Sequence, residues 1–297
     1  MTSGSATPPV PRPSPDPSDR RAVREAARRR KGRRGAGISA GASVVLFGGL
    51  AALVLTSAGW PTFRDTFLSW DVATDSFGDI LKAFWLDVKI FMVVEVAVLV
   101  VGLGLALLRT TWSPALTPLR LIAVGYIDFF RGMPTVMLVY LTAFGVPALA
   151  APGGGLEWLP TNPVILAGFG LMLSYSAYVA EVFRAGIQSI HPSQRAAALS
   201  LGLTEFQALR RVILPQAVRR VMPPLLNDFV ALQKDAALVS IAGPIEAFRQ
   251  AQIVQGETFN YTPLIVAGVL FVLVTIPLAR VVDRLQARQP GFAGGVR

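Results

Sequence analysis

Asn227, Asp228, Gln233, Lys234 and Asp235 fall in a stretch that apart from Ser240 is otherwise apolar, Leu225–Gly243. Asn227, Asp228, Ala231, Lys234 and Asp235 follow i, i+1, i+4, i+7, i+8 spacing, so a helix gathers them on one face. An ionised side chain at mid-bilayer costs at least about 2.5–3.5 kcal/mol, so in a membrane this face must look at a partner or a wet cavity. Asp228 or Asp235 is expected to neutralise Lys234, within the helix or across a subunit interface. Two roles fit the face: an ion pair that holds the helix in its bundle, and a lining for a translocation path.

A second polar face is written at Ser174, Tyr178 and Glu181 (i, i+4, i+7), with Arg184 one turn beyond. Glu181 reads as half of an interfacial pair with Arg184, or as a gate or substrate contact. Glu95 has no charged residue at helical spacing. It fits a contact to a partner subunit, a path lining or a protonated, silent carboxylic acid. Lys89, six residues earlier, can extend its long side chain to the membrane surface. The chain has one histidine, His191, and no cysteine. Thiolate metal sites, disulfides and Cys or multi-His chemistry are thereby excluded, and His191 reads as a loop or helix-capping residue. Asp228 and Asp235 lie about 10 Å apart along one helix, too far for an aspartyl dyad. No Gly-x-x-x-x-Gly-Lys-Ser/Thr phosphate loop occurs, so ATP hydrolysis by that route is unavailable to this chain.

The elements that position these residues follow from composition. Of 297 residues, 53% are hydrophobic and 15% charged, against about a quarter charged in soluble domains. The net charge of +10 is concentrated: residues 1–37 carry ten Lys/Arg and three Asp/Glu. That segment begins with a proline-rich stretch that cannot bury a core, and it reads as a disordered basic tail, attracted to anionic lipid heads and not to nucleic acid. Ile38–Ala58 follows without a charge, long enough to span the roughly 30 Å hydrocarbon layer, and reads as an uncleaved first span. Further spans are expected at Ile90–Leu108, Gly132–Ala150, Pro163–Phe183, Leu225–Gly243 and Pro263–Val282. Six spans put both termini on one side. The inside segments 1–37, 109–131, 184–221 and 280–297 then carry 23 Lys/Arg and the outside segments 3, the bias expected of cytoplasmic loops. Residues 283–297 form a short cytoplasmic tail. Gly102 with Ala106, and Gly170 with Ser174, offer the four-residue small spacing that lets membrane helices approach closely.

The longest internal cytoplasmic segment, residues 184–221, divides around Gly202. Pro192 suits the first turn of one helix, which runs through Arg195–Leu201, and Gly202 suits the left-handed position after it. Thr204 and Gln207 have capping-box spacing for a second helix. Pro215 is expected to bend that helix back towards the membrane. The product is a short two-helix projection shaped for another protein's cleft.

At these positions the chain resembles the permease subunits of bacterial ABC importers. Their cytoplasmic signature reads Glu-Ala-Ala, three residues, Gly, nine residues, Ile-x-Leu-Pro. Here the matching residues are Ala196, Ala197 and Ala198, then Gly202, then Val212-Ile213-Leu214-Pro215. Ser176-Ala-Tyr-Val-Ala-Glu-Val-Phe-Arg184, Lys234-Asp-Ala-Ala-Leu-Val-Ser240 and Arg131-Gly-Met-Pro134 are similar to elements of the polar amino-acid branch. The resemblance covers about Phe84 to Val282. It departs from the family at Ala196, where the family has glutamate, and at Ala236 and Ala237, where it has small hydroxyl residues.

The resemblance implies an all-α integral membrane protein of about six transmembrane helices: a first span (38–58) added to a five-helix permease domain (84–282), both termini cytoplasmic, in the bacterial cytoplasmic membrane. It implies a subunit that imports polar amino acids, with no catalytic site, metal or cofactor of its own. ATP and Mg would sit on two partner ATPases that engage the 190–215 loop through Ser193, Ala196, Ala197, Ala198, Gly202, Leu203, Leu214 and Pro215. A second permease copy or a related permease, and an extracellular substrate-binding protein, complete the implied assembly. Glu95, Arg131, Tyr178, Glu181, Asn227, Asp228, Lys234 and Asp235 are the candidate path or gate residues. The alternative is a secondary transporter or channel without an ATPase. That class would account for the membrane charges but not for the projecting loop, and no convincing internal repeat supports it.

Overall fold

The structure is a computed structural model that describes residues 41–110, 114–150, 152–153, 155 and 156–287. The basic tail of residues 1–37, the start of the expected first span and residues 288–297 lie outside the described residues. Two compact units divide after Phe63. In the first unit the chain forms α1, Gly41–Leu55. This uncharged helix ends earlier than the expected span 38–58. Helix α2, Trp60–Phe67, follows across the unit boundary.

The second unit is helical throughout its regular structure, with no strand among the described residues. Helix α3 runs from Trp70 to Thr110, so most of the expected outer loop 59–87 is helical, and the apolar run 90–108 is only its second half. Helix α4, Thr117–Gly132, is followed by α5, Thr135–Tyr140, a π-helical turn over Leu141–Gly145 and α6, Val146–Leu149. The α4 and α5–α6 rods meet at 107°. The expected straight span 132–150 is therefore the second arm of a bent pair, and the expected inside loop 109–131 is largely helix. Proline explains the break. Pro134 offers no N–H and disfavours helical geometry in the residue before it, and Met133 is extended (φ −98°, ψ 134°).

Helix α7, Pro163–Gln188, is capped by Asn162, whose side chain accepts from the N–H groups of Val164 and Ile165. It is followed by α8 (Pro192–Ser200), α9 (Glu205–Ala208), a π turn over Leu209–Ile213 and α10 (Leu214–Asp235). A 3-10 segment, Ala236–Ala242, leads to α11 (Ala247–Thr258) and α12 (Thr262–Ala287). Helices α2–α3, α7 and α12 are long and apolar enough to cross a membrane, and the bent pair passes as a fourth span. Helix α10 has the length but carries Arg219, Arg220, Asp228, Lys234 and Asp235.

Two apolar clusters hold the second unit. In one, Phe91, Val94 and Val98 of α3 meet Leu171, Tyr175 and Val179 of α7, with Leu232 of α10 and Val239 after it. In the other, Ile80 and Phe84 of α3 pack on Ala247 and Ala251 of α11 and on Ala267 and Leu270 of α12. A buried polar junction closes this second cluster. Glu246, fully buried, caps α11 by accepting from Phe248 N–H (2.8 Å) and Arg249 N–H (2.6 Å), while Asp87 accepts from Ala247 N–H (3.1 Å). Burial holds the Glu246 carboxyl above the ordinary carboxylate range, against the opposite pull of those backbone donors.

Close approach of the helices depends on missing side chains. A Cβ on Gly102 would stand 2.7 Å from Val179 Cγ1 of α7, and one on Gly170 would stand 2.9 Å from Val139 Cα and 3.0 Å from the Leu138 carbonyl. The second clash is with backbone, which cannot rotate away. Gly170→Ala is therefore expected to lower the melting temperature of the detergent-solubilised protein by several degrees. Gly268→Ala, where a Cβ meets nothing within 4 Å, is expected to be neutral or stabilising by up to about 1 kcal/mol. Equal melting of the two variants would refute a backbone-limited α5–α7 contact.

Candidate functional site

The projecting loop is built largely by local hydrogen bonds. His191, exposed, caps α8 by accepting from Ser193 N–H through Nδ1 (3.2 Å), and Pro192 occupies the first turn. At the other end Gly202 adopts φ +81°. Its N–H bonds the Leu199 carbonyl (2.9 Å) and Leu203 N–H bonds the Ala198 carbonyl (3.2 Å). These two bonds form a Schellman cap, which needs the left-handed residue that glycine supplies without a Cβ penalty. Thr204 and Gln207 complete the capping box of α9. Pro215 does not end the helical path. Leu214 N–H reaches back five residues to the Leu209 carbonyl, and this wide turn lets the chain run helically from Glu205 through Pro215 into α10.

Of the loop residues singled out in the sequence, Ser193, Ala196, Ala197, Gly202, Leu214 and Pro215 are exposed, Leu203 is half-buried and Ala198 is buried. Two features are not directly visible in the sequence. Arg195 makes a two-pronged pair with Glu205 (2.9 and 2.7 Å), tying α8 to α9. Leu201 and Phe206 stand 84% and 67% exposed beside Gly202, an apolar tip on a polar projection. Alternation of apolar and polar residues around Gly202 was the available signal for that tip. The Arg195–Glu205 pair, ten residues apart, needed the folded turn.

The membrane-embedded polar residues separate into engaged and unengaged groups. Ser174 is buried and its hydroxyl meets that of Thr135 in α5 (2.8 Å). Tyr178 donates to the Arg131 carbonyl (3.3 Å), and the Arg131 guanidinium lies 5.8 Å from the Tyr178 ring centre. Glu181 is paired with Arg184, as expected, and also with Arg109 of α3 (3.0 Å). The Ser174–Tyr178–Glu181 face thus meets the α4–α5 break and the end of α3. Gln233, on the buried side of α10, accepts from Thr275 of α12 (2.7 Å).

The expected Lys234 pair is corrected. Lys234 is exposed and makes no ion pair among the described residues. Asp235 accepts instead from the buried Tyr175 hydroxyl (2.8 Å). The 3.6-residue pitch turns Lys234 and Asp235 about 100° apart, so α7 packs against one and not the other. Asn227 is exposed. Asp228 Oδ2 is buried without a hydrogen-bond partner. Glu95, 9% exposed, feels the Asp228 carboxylate across the α3–α10 contact, so its charged neighbour is a like charge from a distant part of the sequence. Lys89 is exposed, with its ammonium 6.0 Å from the Trp85 ring centre. A cavity of about 380 Å³ joins Arg131, Tyr178, Glu181, Arg220 and Asp228 in one wall. Among the described residues no group of three or more Asp, Glu or His is gathered for a metal ion.

The fold is that of a helical membrane protein with a bent helix pair, a polar helix and a capped two-helix projection. Residues 98–289 match the family of binding-protein-dependent transport system inner membrane components, and the chain belongs to it. It is 35% identical over 213 residues to the probable amino-acid permease protein YxeN of Bacillus subtilis (strain 168), covering 70% of this chain and 91% of that protein. It is 31% identical over 209 residues to the arginine transport system permease protein ArtQ of the same organism, covering 69% and 91%. The crystal structure of an amino acid ABC transporter with histidines superposes with a TM-score of 0.65 at 30% identity, covering 75% of this chain and 98% of that one. Family membership sets aside the uncoupled transporter or channel.

The Tyr175–Asp235 bond is open to a direct measurement. A hydrogen bond to a charged acceptor contributes about 1.5–3 kcal/mol. Tyr175→Phe and Asp235→Asn are each expected to lower thermal stability, and the double variant to lose less than the sum of the two. Strict additivity in this cycle would show that the two side chains do not interact.

Proposed function

We propose that the chain is the membrane-embedded permease subunit of an ATP-driven importer for polar amino acids, coupled to a separate ATPase through residues 190–215. The observation that carries this reading is the projection itself. Both helices are capped by their own side chains or backbone, Arg195 and Glu205 brace them, and Leu201 and Phe206 present exposed apolar surface at the tip. A rigid projection with an apolar tip can transmit force only to something that grips it, and in this family the gripping partner is an ATPase. The missing family glutamate at Ala196 fits the same picture. An exposed ion pair is worth only about 0–1 kcal/mol, whereas two buried apolar side chains contribute roughly 1.5–3 kcal/mol each.

In this reading the partner ATPases, two per complex, hold ATP and Mg, and this chain binds no cofactor and catalyses nothing. A second permease copy or a related permease completes the path, and an extracellular binding protein delivers the substrate. Six spans with both ends in the cytoplasm follow from the loop charges, with α1 as the added first span and α10 crossing the bundle despite its charge. The basic tail then lies against the anionic inner surface of the membrane. The names of the similar proteins, a probable amino-acid permease and an arginine transport permease, support the substrate class.

Leu201→Asp is expected to abolish co-purification of the ATPase and ATP-dependent uptake while leaving membrane insertion and melting unchanged, because the side chain makes little contact with its own chain. Ala196→Glu is expected to retain both activities. ATPase binding at wild-type strength in the Leu201→Asp variant would contradict docking through this tip.

A further inference from the structure

The polar junction between α3 and α11 leaves one oxygen without a donor. Two carboxyl groups meet there: Asp87 of α3, 2% exposed, and Glu246 at the start of α11, fully buried. Three backbone N–H groups serve them. Phe248 and Arg249 donate to the two oxygens of Glu246, and Ala247 donates to Asp87 Oδ2. The fourth oxygen, Asp87 Oδ1, is buried without a partner, and the side-chain neighbour of the Asp87 carboxyl is that of Glu246. Among the described residues no basic side chain pairs with either acid. Lys82 of α3 is paired with Asp79 (3.1 Å), Lys89 stands over Trp85, and the Arg249 guanidinium donates to Gln252. Glu257, the other acid of this loop, is exposed. The 3-10 segment before α11 has no titratable side chain, and α12 has no charge before Arg280. The remaining neighbours are apolar: Ile80, Phe84, Ala251, Ala267 and Leu270. Two carboxylates away from water, with no cation at hand, repel each other and leave Oδ1 unsatisfied; a single proton removes both penalties.

We propose that Asp87 and Glu246 form a proton-binding site, holding one proton between them as a latch that fastens α3 to α11 and loosens when the proton leaves. The proton belongs on Asp87 Oδ1. Both Glu246 oxygens already accept from N–H groups of the first turn of α11, where the helix dipole favours negative charge, whereas Oδ1 has nothing to accept. A protonated Oδ1 becomes the donor in an O–H···O bond to the Glu246 carboxylate, a strong class of hydrogen bond. The one unsatisfied oxygen of the pair then has a partner. Burial, which holds the Glu246 carboxyl above its ordinary range, agrees with a proton kept to higher pH than exposed carboxyls allow. The sign for stability follows. The folded chain keeps a proton that the unfolded chain has released, so stability is greatest below the ordinary carboxylate range. It falls as pH rises from there to the point at which the pair ionises. Beyond that point two carboxylates face each other in an apolar junction, and the contact of α3 with α11 weakens.

The test compares the purified full-length chain and two variants by thermal melting and infrared spectroscopy between about pH 5 and pH 9. Asp87→Asn sets an amide N–H in the place of the Oδ1 proton and keeps an acceptor for Ala247 N–H. It is expected to melt several degrees above the wild type at the alkaline end and to have a shallower fall of melting temperature with pH. The protonated-carboxyl carbonyl band of the wild type is expected to persist at neutral pH, and to lose one component in Asp87→Asn. Glu246→Gln cannot substitute in the same way, because its amide nitrogen replaces an oxygen that accepts from α11. It is expected to melt below Asp87→Asn at every pH, and this asymmetry separates a proton on Asp87 from simple removal of a negative charge. An Asp87→Asn chain that fails to fold, melts below the wild type at alkaline pH or retains the full infrared band overturns the site. So does a wild-type melting temperature that rises when sodium replaces choline at equal ionic strength, if Asp87→Asn abolishes the rise, since a metal cation would then stand where the proton is assigned.

Discussion

Helix α7 touches α3, α4, α5 and α10, and it reaches α3, α5 and α10 at distances a larger side chain would forbid. The contact with α3 forms where Gly102 lies against Val179 and the Ser176 carbonyl. The contact with α5 forms where Gly170 lies against the backbone of Leu138 and Val139. In lipid, apolar surface gains little by leaving one hydrocarbon environment for another, so van der Waals contact and hydrogen bonds between helices must hold the bundle. The small residues supply the first, and Ser174–Thr135, Ser176–Tyr126 and Tyr175–Asp235 supply the second along the same helix. Helix α7 is thus a rail to which the bent pair on one side and α10 on the other are both fixed.

That arrangement decides which charges are structural. Glu181 is drawn into a three-residue cluster with Arg109 and Arg184 and ties the end of α7 to the end of α3. Asp235 is drawn to Tyr175. Glu95 and Asp228 are brought towards each other, two acids on adjoining helices. Asp228 and Arg131, which make no ion pair among the described residues, line one cavity between α7, α10 and the α4–α5 break.

Much of this was legible in the sequence, and the limits have a physical cause. Local features could be read because neighbouring residues determine them: the Thr204–Gln207 capping box, Gly202 in the left-handed region, Pro192 in a first turn and the Glu181–Arg184 pair three residues apart. Helical spacing also placed Ser174, Tyr178 and Glu181 on one face. The failures are at longer range. Lys234 and Asp235 are adjacent, and an ion pair between them or to Asp228 looked natural, but the partner of Asp235 is Tyr175, sixty residues away. Glu95 and Asp228, like Arg109 and Glu181, are joined only by packing. The Gly132–Ala150 run was apolar enough for a span, and hydropathy is blind to a 107° turn. Pro134 was the signal, and it lay inside the Arg131-Gly-Met-Pro134 motif already singled out.

Pro215 shows how the two functional regions are connected. A proline there removes one backbone donor, and the expectation is a bend that turns the helix back towards the membrane. The π turn at Leu209–Ile213 absorbs the lost bond, and the helical path runs from Glu205 to Asp235. Wide turns of this kind are found within helices at functional positions, where they insert a residue without breaking the rod. The consequence here is mechanical. Phe206 at the projection's tip and Asp228 in the cavity wall belong to one helical stretch, so a displacement of the tip need not pass through a flexible loop to reach the acid. The bracing pair Arg195–Glu205 fixes α8 to the start of that stretch, and Arg220 holds it to the Ser189 carbonyl at the end of α7. On the proposed reading, a partner that moves α8 and α9 moves α10 with them, and α7, bonded to α10 through Tyr175–Asp235 and through Arg220, carries that displacement to the bent pair. The arrangement of the bundle around α7 then becomes a function of the state of the ATPase, which is the coupling an importer requires.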